Sequence, residues 1–255
     1  LVLTFANNAL TLAQWDKIYK EKEGLRLVLK DGKYGYINAE DKVVIKPQFE
    51  DAYNFNSDGF ATIKQNGKKG KINKKGKIIV PAEYDKIFLL AEGFFTIKKN
   101  GKYGYCNEYG ELVINPQYDV AYDFSNTGYA SVKMDDKFGL IDKSGKVVVP
   151  IQFDKVYKFK QGRALVKNNG KYGYVNKNGE TVIPIIYDDA FDFNKNYLAK
   201  VIKDGKTGRV DRNGKVTWNI QIGDIVNNGI VFYVDESGQH GLICSKENIG
   251  GKELN

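Results

Sequence analysis

The chain has 255 residues and a net charge of +8, and 42% of its residues are hydrophobic. This composition excludes a disordered chain, and no run of about 18 apolar residues is present to span a membrane. One His and two Cys exclude a cysteine-rich metal site or a disulfide framework, and they argue against histidine-based catalysis. The 17 Tyr, 14 Phe and 27 Gly, against only 5 Pro, are the unusual part of the composition.

The N-terminal segment, residues 1–14, carries no charge and does not begin with Met. It is typical of the apolar end of a secretory signal, with cleavage near Ala13-Gln14, and so predicts an exported protein. The alternative is a short buried helix that caps the rest of the chain. Residues 15–24 are predicted to form an N-terminal helical cap, because the end of a repeat array exposes an apolar edge that must be covered.

A repeat occupies residues 25–219. Motifs of the type Gly-Lys-Tyr-Gly-Tyr recur six times, and in each motif one glycine, here called the anchor glycine, keeps a spacing of 34 or 35 residues. The anchor glycines of repeats 1 to 6 are Gly35, Gly70, Gly104, Gly139, Gly173 and Gly208. All five prolines lie 11 or 12 residues after an anchor glycine, and an aromatic residue follows at 14 residues. Self-similarity at this period indicates a repeat architecture.

Each repeat is predicted to be a three-stranded meander with very little helix. In repeat 2, Phe60–Lys64 and Lys69–Asn73 flank the hairpin signal Asn66-Gly67, and Lys77–Val80 is a third strand that Pro81 ends. The third strand is apolar on successive residues, which predicts burial on both faces. The anchor glycine is expected to allow close backbone approach or a bulge in the second strand.

A second period of 69 residues separates odd from even repeats. After the anchor glycine the odd repeats carry Tyr36, Tyr105 and Tyr174, whereas the even repeats carry Lys71, Leu140 and Arg209. The two kinds of repeat are therefore expected to have different surroundings, or to descend from a duplicated two-repeat ancestor. The fold class is all-β: six meanders in an open superhelix or solenoid, with a six-bladed propeller-like ring as the alternative.

The C-terminal segment, residues 220–255, no longer follows the repeat. Ile222-Gly223-Asp224 and Gly229–Asp235 resemble the opening of a lectin-like domain of bacterial surface proteins, the domain of unknown function 1566 type. The segment is interpreted as the start of a second, truncated domain, or as a terminal hairpin that caps the array.

The repeats resemble the bacterial WG repeat. Lys171–Pro184, followed by Tyr187-Asp188, matches its pattern almost position by position. The tryptophan of the family name is replaced by Tyr34, Tyr103, Phe138 and Tyr172, and Lys69 and Thr207 depart from an aromatic altogether. The resemblance implies a variable number of repeats, frequent export, and no common catalytic site.

Individual side chains give little support for catalysis. His240 is interpreted as a turn residue and Cys106 as a buried thiol at an apolar strand position. An acid follows the repeated aromatic in five linkers, as Glu50, Asp85, Asp119, Asp154 and Asp188. These acids are interpreted as acceptors for backbone N–H groups, since a catalytic carboxylate pair needs two different environments. No catalytic residue, metal site or cofactor is expected.

The candidate ligand-binding residues are Tyr36, Tyr105 and Tyr174, which could form a ladder for a sugar ring or a peptide. The alternative is that they pack between repeats. The lysine of each motif could add a basic stripe, as in Lys68, Lys102, Lys137, Lys171 and Lys206. The sequence thus predicts a non-enzymatic scaffold that binds a protein or peptide at the cell envelope, with an anionic glycan as the alternative ligand and no nucleic acid.

Overall fold

The structure is a computed structural model that describes residues 14–226, 229–238 and 240–245. Every regular element in this part of the chain is a β-strand, so none of it forms a helix long and apolar enough to cross a membrane. The chain divides into two compact units, Leu1–Asp136 with Leu140–Val147, and Lys137–Gly139 with Val148–Asn255. The predicted secretory signal lies outside the described residues, apart from its last position.

Six antiparallel sheets follow one another along the chain, and the third strand of each sheet holds the anchor glycine of the repeat with the same number. Sheet 1 consists of β1 (Lys17–Ile18), β2 (Arg26–Lys30), β3 (Lys33–Ile37) and β4 (Val43–Phe49). Sheet 2 consists of β5 (Asp51–Ala52), β6 (Phe60–Gln65), β7 (Lys68–Asn73) and β8 (Ile78–Tyr84). Sheet 3 consists of β9 (Lys86–Ala91), β10 (Phe94–Lys99), β11 (Lys102–Asn107) and β12 (Leu112–Tyr118).

The remaining sheets continue the same order. Sheet 4 consists of β13 (Val120–Ala121), β14 (Tyr129–Met134), β15 (Lys137–Asp142) and β16 (Val147–Phe153). Sheet 5 consists of β17 (Lys155–Val156), β18 (Ala164–Asn168), β19 (Lys171–Val175) and β20 (Thr181–Tyr187). Sheet 6 consists of β21 (Asp189–Ala190), β22 (Leu198–Lys203), β23 (Lys206–Asp211) and β24 (Val216–Trp218). A C-terminal sheet consists of β25 (Ile225–Val226), β26 (Gly229–Val234) and β27 (Gly241–Ser245).

The all-β repeat fold is confirmed, but each repeat contributes to a sheet of four strands rather than three. The additional strand comes from the linker before the hairpin, as in β5, where Asp51 pairs with Lys64 and Ala52 with Ile63. This strand has two residues in every repeat sheet except sheet 3, which is too short to show an alternating pattern in the sequence. The choice between an open array and a ring stays a prediction.

The N-terminal helical cap predicted over residues 15–24 is wrong. Lys17 pairs with Leu29 and Ile18 with Val28, so this segment forms the first strand of sheet 1. Its sequence, Trp15-Asp16-Lys17-Ile18-Tyr19, matches the later linkers Tyr84–Phe88 and Phe153–Tyr157 residue type by residue type. The same linker sequence therefore forms the same strand. Pairing with β2 provides hydrogen bonds for backbone N–H and C=O groups that a helix would have bonded internally.

The fourth strand of each sheet is an exposed edge, which corrects the prediction that it is buried on both faces. Val43 and Val44 are 47% and 40% exposed, whereas Ile45 is 4% exposed. The prolines lie inside this strand and not at its end, since β4 continues past Pro47 to Phe49. Proline is accepted there because an edge strand has one side on which no N–H donor is needed.

The anchor glycine lies where the third strand approaches this edge strand, which confirms its predicted role. The register shifts between Tyr34 and Tyr36, so that Gly35 faces a bulge. A Cβ atom on Gly35 would lie 2.6 Å from the carbonyl oxygen of Ile45 and 2.6 Å from the nitrogen of Pro47. The glycine and the proline thus mark the two sides of one close backbone contact in repeats 1 to 5, whereas in repeat 6 Gly208 faces Trp218.

Odd and even repeats have different surroundings, as predicted. At an odd-to-even junction the two sheets share a core, and in sheets 1 and 2 this core contains Tyr36, Ile45, Phe55, Ile63 and Ile72. Sheets 5 and 6 share a matching core around Tyr174 and Phe193. At the even-to-odd junction of sheets 2 and 3 the cluster consists of Val80, Tyr84, Phe95, Ile97 and Cys106.

The even-to-odd junctions bring two backbones together. A Cβ atom on Gly110 of sheet 3 would lie 1.8 Å from the carbonyl oxygen of Ile79, and a Cβ atom on Gly179 of sheet 5 would lie 2.5 Å from that of Val148. The matching glycine at an odd-to-even junction, Gly145, faces only the Ile114 side chain, at 3.1 Å. The 69-residue period therefore corresponds to two different ways of stacking one sheet on the next.

Candidate functional site

The predicted ligand-binding tyrosines are buried. Tyr36, Tyr105 and Tyr174 are 1%, 0% and 1% exposed. Each hydroxyl donates a hydrogen bond of 2.7 Å to a backbone carbonyl of the following linker, at Tyr53, Tyr122 and Phe191 respectively. The prediction that these tyrosines form a surface ladder is wrong, because no ring face remains for a ligand.

These tyrosines pack across the odd-to-even junctions. The ring of Tyr105 packs on Phe124 with 4.8 Å between centroids, and Tyr174 packs on Phe193 at 5.0 Å. Burial, with a smaller contribution from the Asp123 carboxylate, raises the pKa of Tyr105 well above its usual value. The alternative that the sequence left open, packing between repeats, is what the structure shows.

Four of the repeated lysines are paired with linker acids, and the fifth is paired with an acid of the C-terminal segment. Lys68 lies 2.5 Å from Asp85, and Lys137 lies 2.6 Å from Asp154. Lys102 and Lys171 form the same ion pair with Asp119 and Asp188, and Lys206 lies 3.6 Å from Asp224. Since each of these lysines has an acidic partner, the predicted free basic stripe is not present.

The linker acids also confirm their predicted role as acceptors. Asp154 accepts the backbone N–H of Asn169 at 2.7 Å, and Glu50 accepts those of Asn66 and Gly67 at 2.8 and 3.0 Å. In each case the N–H belongs to the hairpin turn of the next sheet. The lysine hydrogen bond, together with the backbone donor, lowers the pKa of Asp154 below its usual value. One acid thus connects two consecutive repeats.

The sequence reading missed a set of exposed aromatic side chains in the linkers, called here the linker aromatics. Each follows a linker acid by three residues; four of them come directly after the first strand of a sheet, and Phe88 lies within β9. They are Tyr53, Phe88, Tyr122, Tyr157 and Phe191, and they are 51%, 39%, 57%, 36% and 45% exposed. Their constant spacing from the linker acid was visible in the sequence, but nothing there distinguished them from the buried aromatics.

Lysines lie near two of the linker aromatics and near a ring that neighbours a third. The Lys69 ammonium lies 5.8 Å from the ring centroid of Tyr53, and that of Lys200 lies 5.3 Å from Phe191. Phe88 lies 6.1 Å from Tyr103, and Lys98 lies 4.8 Å from the same Tyr103 ring. The exposed surface of these linkers therefore combines aromatic faces with positive charge.

A second feature that the sequence reading missed is a polar cleft of about 470 Å³ in the second unit. It lies at the odd-to-even junction of sheets 5 and 6. Its lining includes Arg163, Asn178, Tyr197 and Arg212. A neighbouring cleft of about 390 Å³ shares the two arginines and Tyr197. Arg163 donates hydrogen bonds to the carbonyl oxygens of Gly162 at 3.2 Å and of Arg212 at 3.0 Å.

The two side chains considered for catalysis, Cys106 and His240, lie in a buried strand and in an exposed turn. Cys106 is fully buried, as predicted, and burial raises the pKa of its thiol to about 12. Nδ1 of His240 lies 2.9 Å from the Asp235 carboxylate in an exposed turn. Within residues 14–226, 229–238 and 240–245, no group of three or more His, Cys, Asp or Glu side chains is placed to hold a metal ion.

Comparison with known proteins identifies the repeat. The family model described as WG containing repeat matches five times, at residues 34–68, 70–103, 103–138, 138–172 and 172–206. These matches cover more than half of the chain. No curated protein matches the sequence.

Solved structures give only distant likeness. The structure described as KlHsv2 with loop 6CD replaced by a Gly-Ser linker has 13% identity and a TM-score of 0.36, covering 66% of this chain and 64% of that chain. Kluyveromyces lactis Hsv2p has 11% identity and a TM-score of 0.34, covering 77% and 75%. A catalytically inactive virginiamycin B lyase from Staphylococcus aureus with quinupristin has 17% identity and a TM-score of 0.30, covering 84% and 86%.

Proposed function

Because this chain belongs to the WG containing repeat family, we propose that it is a non-enzymatic binding scaffold that recognises a protein or peptide at the cell envelope. The observation that carries the proposal is the exposure of one aromatic side chain at the same position of five linkers. Aromatic residues are enriched at protein interfaces, where their large rings contribute much of the binding energy. Export itself rests on residues 1–14, nearly all of which lie outside the described residues.

The exposure of the linker aromatics contrasts with the burial of neighbouring aromatic side chains, as at the junction of sheets 3 and 4. Tyr105 and Phe124 are buried in that junction, whereas Tyr122, two residues before Phe124 in the chain, is 57% exposed. A single exposed aromatic needs no explanation, but exposure at the same repeated position recurs in three linkers of the first unit and two of the second. A partner that contacts more than one repeat gains affinity through linked binding events.

The chemistry of this surface indicates the kind of partner. The lysines near Tyr53, Tyr103 and Phe191 favour a polypeptide that combines acidic with apolar or aromatic side chains. The partner is expected to bind through side chains and not as an added strand. Proline lies inside the edge strand of sheets 1 to 5, where it removes a donor that strand addition would use.

A peptide-display selection on the immobilised protein tests the proposal. We expect enrichment of acidic peptides with aromatic residues, and loss of their binding in the triple variant Tyr53→Ser, Tyr122→Ser and Phe191→Ser. A matched variant, Tyr109→Ser, removes an aromatic that is 73% exposed outside the linkers and is expected to retain binding.

Three outcomes would contradict the proposal: no enriched peptide, equal binding by the triple variant, or equal loss in the Tyr109→Ser variant. The same proteins on a glycan array test the alternative ligand class. Retention of glycans without peptide binding would favour the glycan alternative, although its predicted tyrosine ladder is buried.

A further inference from the structure

We infer that Arg163, Arg212 and Tyr197 form a site for the oxyanion group, a carboxylate or a phosphate, of a small acidic ligand. The site lies in the polar cleft at the junction of sheets 5 and 6. This inference does not rest on the function proposed above, because none of the linker aromatics lines the cleft.

The corresponding junctions of the first unit hold an ion pair at this position. Lys74 lies 3.5 Å from the Glu23 carboxylate at the junction of sheets 1 and 2. Lys143 lies 3.9 Å from the Glu92 carboxylate at the junction of sheets 3 and 4, and it donates a hydrogen bond to the Glu92 carbonyl at 2.8 Å. In both junctions the lysine of the even repeat is paired with a glutamate in a loop of the preceding odd repeat.

The junction of sheets 5 and 6 has lost that acid and gained a second positive charge. Arg212 takes the position of Lys74 and Lys143, while Gln161 takes the position of the two glutamates. Arg163 takes a position that is apolar in sheets 1 and 3, where Leu25 and Phe94 occupy it. Two arginines therefore face one cleft, and neither forms an ion pair with an acid of the described residues.

Both arginines retain unused hydrogen-bond donors. The Nε atoms of Arg163 and Arg212 are buried and have no hydrogen-bond partner in the described part of the chain. The carboxylate in the lining of the neighbouring cleft, Asp211, accepts the backbone N–H groups of Asn213 and Lys215, both at 2.9 Å. A guanidinium binds a carboxylate or phosphate through two parallel N–H donors. The Nη groups of Arg212 donate to no acceptor in the described part of the chain, so they are the donors that we assign to a bound oxyanion.

Tyr197 adds an aromatic wall at a conformational cost. Its φ of +60° lies in the left-handed region, and the other odd and even sheets have glycine at this loop position, as in Gly93 and Gly128. A bulky residue in this region is strained, and such strain concentrates at functional sites. The ring lies 5.2 Å from the Arg212 guanidinium and is 48% exposed, so it can contact the body of a bound ligand.

The chain has only four arginines, Arg26, Arg163, Arg209 and Arg212. Their four Nε–H signals can therefore be followed one by one in an NMR titration. The probes are inorganic phosphate, glucuronate and uncharged glucose, each added at constant ionic strength set with chloride. We expect phosphate or glucuronate to shift the Arg163 and Arg212 signals in a saturable way, with those of Arg26 and Arg209 unchanged. Glucose alone is expected to shift none of them. Saturation by glucuronate only would assign the site to carboxylates, and saturation by phosphate only would assign it to phosphates.

The decisive variant is Gln161→Glu, which restores the acid found at the other two junctions. We expect it to weaken binding at least tenfold, because the new carboxylate competes with the ligand for Arg212. Arg209→Gln changes the net charge by the same amount outside the cleft lining and is expected to leave the affinity unchanged. Since residue 161 is exposed, the substitution preserves the fold.

The inference is overturned if neither anion gives a saturable shift, or if all four arginine signals move in parallel with added anion. It is also overturned if Gln161→Glu binds the anion as tightly as the unchanged protein. Equal weakening by Arg209→Gln would show that net charge alone attracts the anion.

Discussion

The junction of sheets 2 and 3 and the junction of sheets 3 and 4 use the same repeat in two different ways. Between sheets 3 and 4, the buried Tyr105 reaches across and donates its hydroxyl to the carbonyl of Tyr122. Between sheets 2 and 3, the matching position holds Lys71, and Gly110 instead lies against the carbonyl of Ile79. One junction depends on a large polar aromatic, whereas the other depends on the absence of a side chain.

This difference explains why the sequence repeats at 69 residues as well as at 35. A tyrosine is needed only where a linker carbonyl is there to accept its hydrogen bond. Glycine recurs at the matching turn of both kinds of repeat, as in Gly110 and Gly145, but only at the even-to-odd junctions does it lie against a backbone carbonyl. Burial lowers the pKa of the Lys71 ammonium, and its side chain lies 5.6 Å from the ring of Phe95. The pair of repeats, rather than the single repeat, is therefore the unit whose interactions recur.

The largest effect is expected from Gly110→Ala. Its φ is +88°, and an added Cβ atom would meet the rigid carbonyl of Ile79, so we expect a loss of about 2–4 kcal/mol in unfolding free energy. The matched Gly145→Ala has a similar φ of +87° but meets a movable side chain, and about 1–2 kcal/mol is expected. Urea unfolding of both variants measures the difference. Equal losses would mean that the two junctions are packed alike.

A smaller effect is expected from Tyr105→Phe. The substitution keeps the ring on Phe124 but removes the donor to the Tyr122 carbonyl, which costs about 1 kcal/mol. Tyr103→Phe is the matched control, because the hydroxyl of Tyr103 has no hydrogen-bond partner among the described residues. Thermal and urea unfolding compare the two. The role given to Tyr105 would be contradicted if both variants were as stable as the unchanged protein.

The smallest effect concerns the pH dependence of the same hydroxyl. The folded pKa of Tyr105 is raised by burial, whereas the unfolded tyrosine ionises near pH 10. Its contribution is therefore complete below pH 10 and is lost as the pH rises, because the unfolded state releases the proton first. The advantage of the unchanged protein over Tyr105→Phe should shrink by about 0.8 kcal/mol between pH 7 and pH 10.5. Parallel stability curves over this range would contradict the assignment.

Much of the fold could be predicted from the sequence because the markers of the repeat have single physical causes. The anchor glycine and the proline belong to one close backbone contact, so their spacing reports the geometry directly. The first strand of a sheet could not be predicted where it has only two residues, since a pair such as Asp51 and Ala52 carries no pattern of its own. The sequence of residues 15–19 does match later linkers, and that match is a better guide to their structure than the need to cover the end of the array.

The functional side chains were harder to predict because an aromatic residue is favourable both in a core and at an interface. Tyr36 and Tyr53 are both linked to the repeat by constant spacing, yet only the three-dimensional path of the linker buries the first and exposes the second. The arginine cleft depends on departures from the repeat at positions 161 and 163 of one loop and at position 212 of another, distant in sequence. Such a departure becomes meaningful only when the loops are known to be neighbours.

The linker acids have a consequence for the order in which the chain assembles. Asp119 precedes the turn N–H that it binds by 16 residues, and Asp154 precedes its own by 15. The contact that joins consecutive sheets is thus local in sequence, which favours fast folding. During synthesis from the N-terminus, each hairpin leaves the ribosome when its acceptor is already available on the sheet before it. The array can therefore grow in one direction, with each finished sheet serving as the template for the next.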